Sequence, residues 1–191
     1  IQGLRVGLLP SLLSNQLQAD LSKGIDSAID VLSKLGAVVK KLDFEPSPKI
    51  QTLYEHIAYP EAAAYHLPWM RTRIDEYGPN CRSRLEQGLV IPAIHYIEAQ
   101  QDRSRLLEAY LNAFKKVDVI VAPISPNTAP RLDEEFLDVI ADPHTHRQYT
   151  SPMNLTGLPA LALPVGFGPG GLPITFQVVG RPFEEETLFR I

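Results

Sequence analysis

One short run of residues limits the fold of this chain more than any other feature. Residues 117–122 read Val-Asp-Val-Ile-Val-Ala and stop at Pro123. The run is mostly apolar and β-branched, so the strand it predicts is buried on both faces. Such a strand lies inside a sheet that helices cover on both sides. The run therefore predicts a layered α/β fold.

The N-terminal part of the chain predicts a β-α-β unit. An apolar run over residues 4–9 precedes a helical pattern from Asn15 to Leu35, in which Asn15 is the expected N-cap. Gly36 is placed for a left-handed C-terminal cap. Residues 37–43 then form a second strand. Two strands joined by a helix are expected to pair in parallel with a right-handed crossover.

Two long helices are predicted in the middle of the chain, over residues 49–74 and 92–116. In the first, Pro60 and Pro68 are expected to kink or split the helix, because proline removes a backbone donor. The second helix is expected to turn its apolar side chains inward, namely Ile94, Ile97, Leu107, Tyr110, Leu111 and Phe114.

The C-terminal part of the chain predicts a long loop followed by a hairpin. Residues 123–152 are polar and irregular, with a short helix expected over 133–140. A stretch of that length without regular structure is often functional. Strands are predicted over residues 160–167 and 173–180, joined by a glycine-rich turn at 168–171.

Composition excludes several classes of protein. The 191 residues are 45% hydrophobic and 21% charged, with a net charge of −4, which is typical of a folded domain and unfavourable for binding nucleic acid. The single cysteine, Cys81, excludes an internal disulfide and fits a reducing compartment, so a cytoplasmic location is expected. No apolar stretch reaches the roughly 18 residues of a membrane span.

Both ends of the sequence suggest a partial domain. The chain enters a strand-like run directly after Ile1, and it ends at Ile191 within the first turns of a helical pattern. Domains rarely start and stop inside such elements. Residues 1–191 are therefore expected to be one partial domain of a longer protein.

No familiar catalytic or cofactor motif is present. The glycines of residues 166–171 precede a strand and lack the lysine of a phosphate loop. His144 and His146 lack the further ligands that a metal site needs. Cys81 has no partner motif that predicts a nucleophile. The residues alone thus predict no metal, no cofactor and no catalytic residue.

Two segments are more specific. Residues 150–167 (Thr-Ser-Pro-Met-Asn-Leu-Thr-Gly-Leu-Pro-Ala-Leu-Ala-Leu-Pro-Val-Gly-Phe) and residues 171–188 resemble the C-terminal half of the amidase signature family. The strands at 4–9 and 117–123 agree in order and spacing, so the resemblance covers essentially the whole chain. It implies a mixed sheet flanked by helices and incomplete at its N-terminal side.

The resemblance also implies a chemistry. Members of this family hydrolyse or transfer amide groups with a Ser–cis-Ser–Lys triad, in which an unprotonated lysine activates the nucleophile through the second serine. In the family all three residues precede the strand that is matched here by residues 4–9. This chain contains no Ser-Ser pair. It is therefore expected to hold none of the triad and to be inactive alone.

Four residues become candidates for binding a small amide substrate: Arg84, Tyr54, Thr150 and Asn154. Residues 82–88 are similar to a segment of the A subunit of tRNA-dependent glutamine amidotransferase, in which the arginine matched by Arg84 holds the carboxylate of glutamine. A salt bridge is the equally weighted alternative for Arg84. Tyr54 matches a pocket tyrosine loosely.

Structural roles compete with binding roles in the most distinctive segment. Asn154, Gly157 and Pro159 are interpreted first as shaping the bend before a core strand. Gln177 lies on a predicted strand, so its amide is expected to bond to backbone rather than to substrate.

Three functions remain open. The leading hypothesis is a hydrolase of a small amide with water as the acceptor. The second is an inactive protein that keeps the fold and only binds a ligand or partner. The third is the A subunit of the amidotransferase, although Arg147 stands where that protein has an aspartate for the amine of glutamine. A homodimer is left open.

Overall fold

The computed structural model describes residues 1–13, 17–44, 49–130 and 143–191, with side chains after residue 142 described from Gln148 onward. Within these residues five strands form one mixed sheet in the order β2-β1-β3-β5-β4. The parallel neighbours of β1 are β2 and β3, and β5 runs antiparallel to β3 and β4. The strands are β1 (Arg5–Leu8), β2 (Val38–Lys41), β3 (Val119–Pro123), β4 (Ala160–Phe167) and β5 (Pro173–Val179).

Helices cover both faces of this sheet, which confirms the predicted fold class. One face packs against α1 and α6 through Ile25, Leu32 and Leu188. The other face packs against α2, α4 and α5, and β3 is fully buried between the layers. The helices are α1 (Ala19–Lys34), α2 (Ile50–Arg73), α3 (Pro79–Gly88), α4 (Ala93–Ala113), α5 (Pro143–Thr156) and α6 (Glu185–Phe189).

The β-α-β unit is also confirmed, with parallel pairing of β1 and β2. Gly36 has φ +93°, and the Ala37 N–H donates to the Leu32 carbonyl at 3.0 Å, which forms the predicted C-terminal cap. The helix begins at Ala19 rather than at Asn15, and Asn15 lies outside the described residues. The Gln18 N–H instead donates to the Pro126 carbonyl at 2.8 Å.

Two predictions about helices are wrong. Pro60 and Pro68 do not split α2, which is continuous over 24 residues and packs against α3, α4 and α5; the kink that was the other expectation stays a prediction. Residues 143–152 are helical rather than irregular, since they form most of α5. The short helix expected over residues 133–140 lies outside the described residues.

The predicted inward face of α4 is correct only in its second half. Tyr110 and Phe114 are buried and Leu107 is partly buried, whereas Ile94, Ile97 and, in the second half, Leu111 are exposed. In the first half of α4 other residues face α2. The Tyr96 hydroxyl, for example, donates to Glu61 Oε1 at 2.9 Å. No helix within the described ranges is both long enough and apolar enough to cross a bilayer.

A carboxylate fastens three strands at one end of the sheet. Asp118 precedes β3, and its Oδ2 accepts the backbone N–H of Arg5 at 2.9 Å and the Arg5 Nε–H at 3.1 Å. Arg181, which follows β5, donates from Nη2 to Asp118 Oδ1 at 3.0 Å. The same Nη2 reaches the Val117 carbonyl at 3.0 Å. Hydrogen bonds from Arg5 and then from Arg181 lower the pKa of Asp118 to about 2.

Replacing Asp118 with asparagine is expected to lower the free energy of unfolding at pH 7 by about 1–2 kcal/mol, reduced from the buried value by partial solvent exposure. Because the folded pKa lies below the unfolded value, the wild-type advantage is complete above about pH 4 and disappears as the pH falls toward 2. Urea denaturation at pH 7 and pH 2.5 measures this. Glu76→Gln, which breaks the exposed Arg73–Glu76 pair, is the control and should change little. Equal losses in the two variants would contradict the assignment.

Candidate functional site

Arg84 lies on α3, and a close helix contact fixes where α3 lies. The last residue of α3, Gly88, touches the backbone of α2 so closely that a Cβ there would lie 2.5 Å from the Tyr59 carbonyl carbon and closer still to its oxygen. Leu85 is buried in the same interface. Arg84 precedes Leu85 and is exposed, so the packing of α3 presents its side chain outward.

The guanidinium of Arg84 is free of ion pairs among the described residues. Its neighbour Arg82 is occupied, since it contacts Glu86 at 2.7 Å and Asp75 at 3.5 Å. The salt bridge that was the alternative for Arg84 is therefore absent from this part of the chain. A guanidinium in this state can donate two parallel hydrogen bonds to a carboxylate.

Tyr54 is half-buried near the beginning of α2. Its ring meets that of Tyr59 edge to face, with 6.4 Å between the ring centroids. Tyr59 is also the residue that Gly88 contacts, so Tyr54 lies one helical turn before the residue at which α2 meets α3.

Thr150 and Asn154 lie four residues apart on α5, which places them on the same face of that helix. Thr150 is half-buried and Asn154 is exposed. The helix packs against α2 and α4. The four candidates therefore lie on α2, α3 and α5, and both α3 and α5 contact α2.

A buried amide holds α5 against the sheet. Gln177 on β5 is buried, and its Nε2 donates to the Pro123 carbonyl at 2.9 Å and to the Tyr149 carbonyl at 2.5 Å. This confirms that Gln177 bonds to backbone. Because Tyr149 precedes Thr150, the amide also fixes the position of Thr150.

The bend before β4 begins at Gly157 rather than at Asn154. Gly157 has φ +69°, a left-handed conformation that favours glycine, and it ends α5. The Gly180 N–H then donates to the Pro159 carbonyl at 2.9 Å. Asn154 lies inside the helix, one turn earlier, with its side chain exposed. It takes no part in the bend, and among the described residues its amide has no hydrogen-bond partner.

The phenols beneath the candidate residues are structural. Tyr110 and Tyr149 are fully buried in the cluster between the sheet and α2. Burial raises the pKa of both phenols, so both stay protonated near neutral pH. They fill the core rather than exchange protons with a ligand.

Sequence reasoning missed the role of Gly88. The sequence held no clear signal for it, because a glycine at the end of a helix is ordinary and the polar segment before it is not predicted as helical. The side chain of Arg147 falls outside the described residues, as do those of His144 and His146. Among the side chains that are described, no group of three or more histidine, cysteine, aspartate or glutamate residues could hold a metal ion.

Comparisons with known proteins find similar sequences over the full length of this chain. The family model described as Amidase matches residues 1–189. The A subunit of the glutamyl-tRNA(Gln) amidotransferase of Roseiflexus sp. (strain RS-1) is 34% identical over all of this chain and 44% of its own length. An amidase of Pseudomonas putida is 32% identical over all of this chain and 42% of its own length.

The fold is shared with a solved structure as well. A crystal structure of an amidase superposes on 97% of this chain and 43% of that chain, with a TM-score of 0.84 and 24% identity. The chain spans less than half the length of these similar proteins.

Proposed function

Because this chain belongs to the amidase family, we propose that the protein containing it hydrolyses a carbon–nitrogen amide bond by serine nucleophilic catalysis. Residues 1–191 provide the scaffold and part of the substrate pocket. The nucleophile and its base belong to the part of the family fold that these residues do not span. We place the protein in the cytoplasm, and we propose that its substrate is a small molecule.

The proposed reaction has two steps. A serine oxygen attacks the amide carbonyl, the C–N bond breaks, and the amine leaves with a proton while an acyl ester forms. Water then attacks the ester, releases the acid and returns the proton to the serine. The residues of this chain bind and orient the substrate during both steps.

The observation that best supports a binding role is the exposed guanidinium of Arg84. It is free of ion pairs among the described residues, and the α2–α3 contact fixes the helix that carries it. A cation held in this way favours an amide that also carries a carboxylate. Tyr54, Thr150 and Asn154 are proposed to complete the polar part of the pocket.

Replacing Arg84 with alanine in the complete protein is expected to raise the KM for succinamate about 30-fold, equivalent to about 2 kcal/mol, with kcat little changed. The KM for butyramide, which lacks the carboxylate, should stay constant. Ammonia release measures both. Arg84→Lys should be intermediate, because it keeps the charge and loses the two-pronged contact.

Arg82→Ala is the matched control, since Arg82 lies on the same helix and is already paired. A loss of kcat without a change in KM, or an equal effect of Arg82→Ala, would contradict a binding role for Arg84. An Arg84→Ala variant that behaves like the wild type would exclude it.

The A subunit of a glutamine amidotransferase is a second candidate, because the Roseiflexus relative at 34% identity has that description. It predicts ammonia release from glutamine that depends on partner proteins. The proposed hydrolase predicts turnover of simple amides with water and without partners.

A further inference from the structure

A cleft at the far end of α2 lies outside the candidate site. It has a volume of about 290 Å³ and is lined by His66, Trp69, Arg73, Glu76 and Tyr77. Trp69 lies 15 residues beyond Tyr54, which corresponds to roughly 22 Å along the helix. None of the five lining residues is one of the four proposed substrate-binding residues, so the cleft has a lining of its own.

The chain builds this cleft by folding back on α2. His66, Trp69 and Arg73 lie at spacings of three and four and share one face of the helix. A single 3₁₀ turn follows α2, and the chain then places Tyr77 beside His66. The Tyr77 hydroxyl lies 3.0 Å from His66 Nδ1. The rings of His66 and Tyr77 meet edge to face at 5.6 Å.

Aromatic surface is left open to solvent there. Trp69 is 41% exposed, and Tyr65, whose ring centroid lies 5.5 Å from that of Trp69, is 70% exposed. Burying such rings against a ligand is favourable, and aromatic pairs add to the gain from area alone. The exposed rings thus favour a ligand that is itself a ring.

The charges at the rim cancel. Arg73 donates from Nε to Glu76 Oε1 at 2.8 Å and from Nη2 to Oε2 at 2.5 Å, so both groups are occupied. His66 Nδ1 is engaged by Tyr77. The second ring nitrogen, Nε2, bonds to no other described residue and can donate or accept one hydrogen bond.

From this geometry we propose that the cleft binds one neutral, planar aromatic ring that carries a hydrogen-bonding substituent. The ring packs against Trp69 and Tyr77, and the substituent bonds to His66 Nε2. A cavity of about 150 Å³ holds benzene, so 290 Å³ accommodates a substituted ring. The proposal does not depend on amide hydrolysis.

The test uses 4-methylphenol, which is not an amide and so separates this site from the amide pocket. The experiment uses the complete protein, including any sequence that its reading frame adds to residues 1–191. Ligand-detected NMR should show saturable binding in the millimolar range, as expected for a ligand of this size. The emission of Trp69, isolated as the difference between wild type and Trp69→Phe, should change with the same affinity.

Variants assign the contacts. Trp69→Ala should weaken binding at least tenfold. His66→Phe keeps an aromatic ring beside Tyr77 but removes the hydrogen bonds of both ring nitrogens, so it should weaken the binding of 4-methylphenol several-fold more than the binding of toluene. Phe183→Ser, which alters a ring that is 95% exposed elsewhere, is the control and should have no effect.

Three results would overturn the proposal. One is the absence of saturable binding to the wild type. Another is equal binding of 4-methylcyclohexanol, which matches the size but lacks the ring. The third is a change in Trp69 emission that follows protein concentration rather than ligand, which would assign the exposed rings to a contact between copies of this chain.

Discussion

Replacing Gly88 with alanine is expected to destabilise the protein by about 3 kcal/mol, although the same change inside a free helix stabilises it by about 1 kcal/mol. The added Cβ would lie 2.5 Å from the carbonyl carbon of Tyr59 and closer still to its oxygen. These are backbone atoms that no side-chain rotation can move. Relief requires α3 to move away from α2. Urea denaturation measures the loss.

The same variant tests how Arg84 is positioned. If α3 shifts, the guanidinium shifts with it, and the KM for succinamate should rise in Gly88→Ala while Arg84 is still present. Gly78→Ala is the matched control, because Gly78 has no atom within 4 Å of its Cβ position. It should change stability by less than about 1 kcal/mol, the scale of a helix-cap substitution. Equal losses in the two variants would show that the α2–α3 contact does not fix α3.

Replacing Gln177 with leucine is expected to cost about 3 kcal/mol of unfolding free energy. The change leaves the carbonyls of Pro123 and Tyr149 without the donor that now serves both, and each unsatisfied buried group costs about 1–3 kcal/mol. Leucine has a similar volume, so packing losses are small. Thermal and urea unfolding of the variant measure the loss.

A surface glutamine provides the control for this prediction. Gln87 on α3 is exposed and donates to Ser83 Oγ at 3.2 Å, and Gln87→Leu should change stability by less than about 0.5 kcal/mol. Hydrogen exchange gives a second readout, since the loss in Gln177→Leu should concentrate in α5. A variant as stable as the wild type would mean that Gln177 does not hold α5 to the sheet.

The strands could be predicted because their signal is local. The run at residues 117–122 is apolar on both faces, and this alone places β3 inside a sheet. The conformation of Gly36 could also be predicted, because helices commonly end with a left-handed residue that is usually glycine. Such features depend on neighbours in sequence, and the structure contains them close to their predicted bounds.

Helices α3 and α5 could not be predicted, since packing rather than pattern makes them helical. The α3 segment is strongly polar, and its close fit to α2 depends on Gly88. The α5 segment contains Pro152 and few periodic apolar residues. The same effect explains α2, in which neighbouring helices keep Pro60 and Pro68 within one continuous helix.

The residues of the candidate site could be identified from the sequence only through its resemblance to a known family. Composition and spacing say nothing special about Arg84, because one arginine in a polar helix is ordinarily a surface residue. Its freedom from ion pairs among the described residues appears only in the folded structure, in which Arg82 rather than Arg84 contacts Asp75 and Glu86. The aromatic cleft could not be predicted from the sequence either, because it forms only when Tyr77 folds back against His66.

The most direct test of the proposed function is acyl transfer to hydroxylamine by the complete protein with succinamate as substrate. An acyl ester on a serine predicts a hydroxamate product, with a higher KM for succinamate in Arg84→Ala. Binding of succinamate without any product would contradict the account and favour an inactive binding protein. Product that forms only from glutamine and only with partner proteins would contradict it in favour of an amidotransferase component.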